Sequence, residues 1–143
     1  NKNAEMVKVF AHQQGPYEQV NRLLHSPSIY DRALQLLVRR GFSLPERCLD
    51  RDWSEPYVPC GEVEQAWLKV YRDTTTFWDL YELAEKLVDL EDNFQQWRFR
   101  HMSTVERIIG FKRGTGGTGG VSYLQKALQL RFFPELWSVR TSV

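Results

Sequence analysis

One apolar stripe constrains this chain more than any other feature. Leu80, Leu83, Leu87, Leu90, Phe94, Trp97, His101, Val105 and Ile108 follow one another by three or four residues. An α-helix brings such positions onto one face. Thr76 and Asp79 make a capping-box pattern just ahead of it. The spacing therefore predicts one helix over about residues 76–112, on the order of 54 Å long at ~1.5 Å per residue. Glu82, Glu85, Lys86, Asp89 and Asp92 fall off the stripe, where water solvates them. A helix with one long apolar seam needs a partner surface, as in a helical bundle.

The other segments carry the same period. Ala4, Val7 and Ala11, with Met6 and Phe10, mark a helix that Gly15-Pro16 interrupts. Tyr17, Val20, Leu23 and Leu24 mark a short one ended by Ser26-Pro27. Ser28 and Asp31 form a capping box for a helix carrying Ala33, Leu36 and Leu37. Gly41, just after Arg39 and Arg40, suits its C-terminus. Val63, Trp67 and Val70 carry the next helix, and Ser122 and Gln125 cap one bearing Leu124, Ala127 and Leu128. Phe132, Phe133, Pro134, Leu136 and Trp137 lie near the end. No segment alternates with period two for long enough to make a strand. The expected fold class is all-α, one domain over residues 1–143 with no internal repeat. Residues 42–60, with Pro45, Pro56 and Pro59, break the pattern. A loop of that length reads either as functional or as a contact surface between subunits.

Composition excludes several partners. The formal net charge of the 143 residues is +1, which gives no case for a nucleic-acid or membrane partner. No apolar run approaches the ~18 residues that a membrane span needs. Cys48 and Cys60 form no C-x-x-C and read as a reduced pair, with a local disulfide as the alternative. The opening Asn1-Lys2-Asn3 has no Met and runs straight into a helical pattern, which reads as a cut inside a longer protein.

His101 is the odd residue on the stripe. A buried imidazole needs partners for its nitrogens. It reads either as a core histidine bonded to a backbone carbonyl, or as a metal or haem ligand. Trp97 and Arg98 lie four and three residues before it and Val105 four after, so all share one surface. A flat apolar cofactor could lie against Trp97 and Val105, with its iron facing His101 and an edge carboxylate reaching Arg98. His12 and His25 are lone residues on other helices, and no zinc-ligand spacing exists. Arg98 to Arg113 is mainly basic, which reads as a solvated helix end or as a site for anionic groups.

Past this helix runs Gly114-Thr115-Gly116-Gly117-Thr118-Gly119-Gly120. It is neither a P-loop nor a dinucleotide fingerprint, because no Gly-Lys-Ser/Thr follows and no strand precedes. It reads as a flexible linker, or as a mobile loop whose backbone N–H groups form an anion nest.

Together these pieces resemble a specific family. Phe94-Gln95-Gln96-Trp97-Arg98-Phe99-Arg100-His101 resembles the proximal helix of tryptophan 2,3-dioxygenases. Val105, Arg107, Gly110, Lys112 and Gly114-Thr115-Gly116-Gly117 fill the family pattern H-x-x-x-V-x-R-x-x-G-x-K-x-G-T-G-G. Trp78-Asp79-Leu80-Tyr81-Glu82-Leu83, Phe133-Pro134-Glu135-Leu136-Trp137 and His25-Ser26-Pro27-Ser28-Ile29-Tyr30-Asp31 extend the likeness over nearly the whole chain, loosest in residues 42–60.

The resemblance implies an all-helical, cytoplasmic homotetramer that binds haem b. His101 is then the proximal iron ligand, Arg98 a partner of a haem propionate, and Trp97 and Val105 the proximal wall. Thr115, with Gly116 and Gly117, contacts the ammonium or carboxylate of L-tryptophan. The implied reaction inserts O2 across the indole C2–C3 bond to give N-formylkynurenine. The family's distal histidine and carboxylate-gripping arginine have no counterpart here, so the chain is expected to be the C-terminal part, inactive without the N-terminal part. Two other readings stay open: a related haem mono-oxygenase of aromatic substrates, and a non-catalytic helical assembly module.

Overall fold

A computed structural model describes residues 14–110, 126 and 129–143. Among these residues every regular element is a helix, and no strand occurs. In chain order they are α1 (Gln14–Leu24), α2 (Ile29–Arg39), α3 (Glu46–Leu49), α4 (Gly61–Arg72), α5 (Trp78–Ile109) and α6 (Pro134–Ser142). The all-α expectation therefore holds. The expected segment around Ala4–Ala11 and the cap at Ser122 and Gln125 lie outside the described residues. The chain divides into two compact units, residues 1–58 and 59–143.

In the first unit, α2 carries the core. Its N-terminus is the expected capping box: Asp31 N–H donates to Ser28 Oγ at 3.2 Å, and Ser28 N–H donates back to Asp31 Oδ2 at 2.8 Å. These bonds satisfy two orphan donors of the first turn. At the other end Gly41 takes φ 95°. Its N–H donates to Val38 and that of Phe42 to Leu37, which is the paired bonding of a Schellman cap. Tyr30, Ala33, Leu34 and Leu37 are buried, as are Phe42 and Cys48 further along the chain. α1 instead exposes Tyr17, Val20, Leu23 and Leu24.

Residues 42–58 are less loop-like than their prolines suggest. α3 interrupts them, and Arg51 organises the rest. Its guanidinium makes two bonds to the Asp31 carboxylate, at 2.8 and 2.7 Å, and a third to the Glu55 carbonyl at 2.8 Å. It also lies over the rings of Trp53 and Tyr57. One arginine thus holds the segment to the helix cap. The reduced-cysteine expectation is corrected: neither cysteine is free, and Cys48 and Cys60 are disulfide-bonded. Their spacing excludes a C-x-x-C motif but leaves a structural bridge open, and both are buried.

In the second unit α4 packs most extensively on α6, and both lie against α5. Val63, Ala66, Trp67 and Val70 of α4 are buried, and α4 contacts both α5 and α6. These are positions of one helical face, and fully burying each aliphatic side chain contributes about 1.5–3 kcal/mol. Leu136 and Val139 of α6 complete the core, with Phe133 at its N-cap.

The long helix differs from expectation in three ways. First, it runs 78–109 rather than 76–112. Thr76 and Asp79 do not cap it: the N-cap is Phe77, without a side-chain cap bond, and Asp73 Oδ1 accepts from Thr76 N–H at 3.1 Å. Second, Gly110 ends it at φ 58°, a conformation that breaks the helical run. Third, its buried face is Leu80, Ala84, Leu87, Val88 and Glu91, not the whole stripe. This face is turned by roughly a quarter of a turn from the line through Leu90, Phe94, Trp97 and Ile108, at about 100° per residue. Those four side chains are exposed.

Candidate functional site

The second half of α5 presents an exposed apolar surface with one imidazole in it. Trp97 is 61% exposed, Phe94 46% and Ile108 76%, and His101 is exposed among them. Val105 and Arg98 are half-buried. The histidine is therefore not a core residue of the second unit.

Trp97 and His101 are stacked. Their ring centroids are 5.1 Å apart and their planes differ by 4°. Spacing of four along a helix brings the two rings together. The lone pair of an imidazole nitrogen lies in the ring plane, so a neighbour covering one face fixes the plane without blocking the nitrogen. No hydrogen-bond partner of His101 is seen among the described residues.

Arg98 points to the other flank. Its Nη1 donates to the Leu130 carbonyl at 3.3 Å, and its guanidinium carbon lies 4.5 Å from the centre of the Phe132 ring. Phe132 also meets Phe94 edge-to-face at 5.7 Å. The segment ahead of α6 is thus laid along α5 beside Phe94 and Arg98.

Glu91 secures that arrangement, and the sequence reading missed it. It is fully buried, and its two oxygens accept the N–H groups of Phe132 at 2.7 Å and Phe133 at 3.0 Å. A signal was available in Phe133-Pro134. Proline at the first helical position marks a helix start, and the N–H groups before it need an acceptor. Glu135 plays a parallel part, accepting from Cys60 N–H at 2.9 Å where α4 begins.

The structure thus brings Trp97, Arg98, His101 and Val105 onto one stretch of α5. The other expected site residues, Thr115, Gly116 and Gly117, lie outside the described residues. Among the described residues no group of three or more His, Cys, Asp or Glu could hold a metal ion. The donor set on this face is a single imidazole within apolar surface. That suits a metal carried inside a flat apolar cofactor, with Arg98 as a cation for an acidic edge.

The family model for tryptophan 2,3-dioxygenase matches residues 17–143. The chain belongs to the tryptophan 2,3-dioxygenase family. A tryptophan 2,3-dioxygenase of Ralstonia pickettii (strain 12J) is 59% identical over 143 residues, covering 100% of this chain and 51% of that protein. One of Geobacillus thermodenitrificans (strain NG80-2) is 56% identical over 142 residues, 99% of this chain and 51% of the relative. One of Bordetella pertussis (strain Tohama I / ATCC BAA-589 / NCTC 13251) is 54% identical over 143 residues, with shares of 100% and 50%. The chain spans about half the length of the curated relatives it matches. No described helix is long and apolar enough to cross a membrane.

Proposed function

We propose that this chain supplies the proximal haem side and the substrate loop of a tryptophan 2,3-dioxygenase. The reaction inserts both atoms of O2 across the indole C2–C3 bond of L-tryptophan to give N-formylkynurenine. The observation that carries this reading is His101, an exposed imidazole stacked on Trp97 within an apolar helix face, in a chain of this family. The residues fit haem b: one nitrogen ligand, a flat apolar surround and a cation at the edge. When bound, haem supplies the iron chemistry that activates O2.

The chain's own residues do the rest. His101 would supply a nitrogen ligand to the haem iron. Trp97 holds the plane of its ring, and Trp97 and Val105 form the wall on that side. Arg98 neutralises a propionate. Thr115, Gly116 and Gly117 hold the ammonium or carboxylate of tryptophan. The distal groups come from the rest of the same polypeptide, the assembly is a homotetramer, and the compartment is the cytoplasm.

The test is product analysis on the complete polypeptide with L-tryptophan and isotopically labelled O2. N-formylkynurenine carrying two labelled oxygen atoms supports the reading. A product with one labelled atom would replace it with mono-oxygenation, and no turnover with haem bound would overturn it.

A further inference from the structure

The side chains that precede His101 on α5 are not held by that helix alone. Arg98 and Phe94 both rest on the segment 130–132, through the Leu130 carbonyl and the Phe132 ring. That segment is held in turn by Glu91, whose carboxylate takes the N–H groups of Phe132 and Phe133. Glu91, Phe94, Arg98 and His101 follow one another by three, four and three residues along the helix.

We propose that Glu91 is a positioning residue for the haem edge: by pinning residues 132 and 133 to α5, it sets the guanidinium of Arg98 where it serves the cofactor. This rests on the haem reading above. Glu91 is fully buried and acts through the segment it holds. A carboxylate suits the task because it accepts two N–H groups at once. An amide in its place turns an NH2 donor toward one of them. A guanidinium already placed by a carbonyl and a ring loses less freedom on meeting a propionate than a loose one does.

The experiment uses the complete, haem-loaded polypeptide and measures haem affinity by transfer to an apo-haem-protein acceptor. The variants are Glu91→Gln, Arg98→Ala and the two combined. Each single change is expected to weaken haem binding about tenfold, as for groups that orient a ligand shell. The double variant is expected to be no weaker than Arg98→Ala alone, because Glu91 works through Arg98. Amide exchange at Phe132 and Phe133 in the apoprotein is expected to quicken in Glu91→Gln. Unchanged affinity in Glu91→Gln overturns the proposal. So does a double variant weakened by the product of the two single factors, which is what a general loss of stability gives. Should Glu91→Gln not fold, Phe132→Ala probes the same link from an exposed side chain, and unchanged affinity there overturns it too. His101→Ala separates the two readings. If it keeps haem as tightly as the wild type, the haem reading itself falls. If it loses haem while the double variant is additive, only the role of Glu91 falls.

Discussion

Glu91 and Phe133 lie 42 residues apart in sequence and are joined by a 3.0 Å hydrogen bond inside the core of the second unit. With the 2.7 Å bond from Phe132, the carboxylate satisfies two backbone donors ahead of α6. Removing it leaves those donors unpaired, one of them buried. Glu91→Ala is expected to cost about 3 kcal/mol in urea unfolding, at 1–3 kcal/mol per buried donor. Glu91→Gln, which keeps one acceptor, is expected to cost about half of that. Loss below about 0.5 kcal/mol in Glu91→Ala would show that water replaces the carboxylate at no penalty.

The pair Arg51 and Asp31 sets a pH dependence in the first unit. Burial raises the Asp31 pKa, but hydrogen bonds from Arg51 and Ser28 outweigh it and hold the group below 3.8. A depressed folded pKa means that the contribution to stability is present above 3.8 and is lost as pH falls through the folded value. Arg51→Ala leaves the carboxylate buried without its cation, and is expected to cost about 3 kcal/mol at neutral pH. The gap between wild type and variant is expected to close as pH drops below the ordinary aspartate value. Thermal unfolding from pH 7 to pH 3 checks this; a constant gap would remove the ion pair as its cause.

Gly110 sits at φ 58°, ψ −136°, and its N–H donates to the Glu106 carbonyl at 2.9 Å. A Cβ there would meet nothing within 4 Å, so any cost of a side chain comes from the backbone. Gly110→Ala is expected to destabilise by about 1–3 kcal/mol. Gly61→Ala serves as the control, at an equally open position without positive φ. It is expected to be neutral or stabilising by up to ~1 kcal/mol. Equal effects in calorimetry would contradict the backbone argument.

What the sequence made legible follows from locality. The capping box at Ser28, the cap at Gly41 and the helix period all depend on residues within about one turn of each other, so a local reading finds them. Arg51, Glu91 and Glu135 could not be read that way. Their partners are 20, 41 and 75 residues away. A charged residue on a helix is ordinarily solvated, and only tertiary structure brings it a buried N–H or a carboxylate. The stripe misled in a related way. Buried and exposed apolar faces lie side by side on α5, and hydropathy does not separate an apolar residue that meets protein from one left exposed. Trp97, Arg98, His101 and Val105 could be placed on one stretch of α5 from the sequence because they span only about two turns of one helix.

Thr115 tests the substrate side of the proposal. Thr115→Ala removes a hydroxyl from the proposed clamp on tryptophan and no group from the haem face. Tryptophan affinity is expected to fall about tenfold, the ~1.4 kcal/mol of one hydrogen bond, with the haem absorption spectrum almost unchanged. Equilibrium titration followed by spectroscopy checks it, and loss of haem in this variant would count against the role.

The most direct measurement is the absorption spectrum of the complete polypeptide with haem, beside His101→Ala. A sharp Soret band that shifts on reduction in the wild type and is lost in the variant is the expected result. An unaltered band in His101→Ala would contradict the account, because the iron would then be held by another residue.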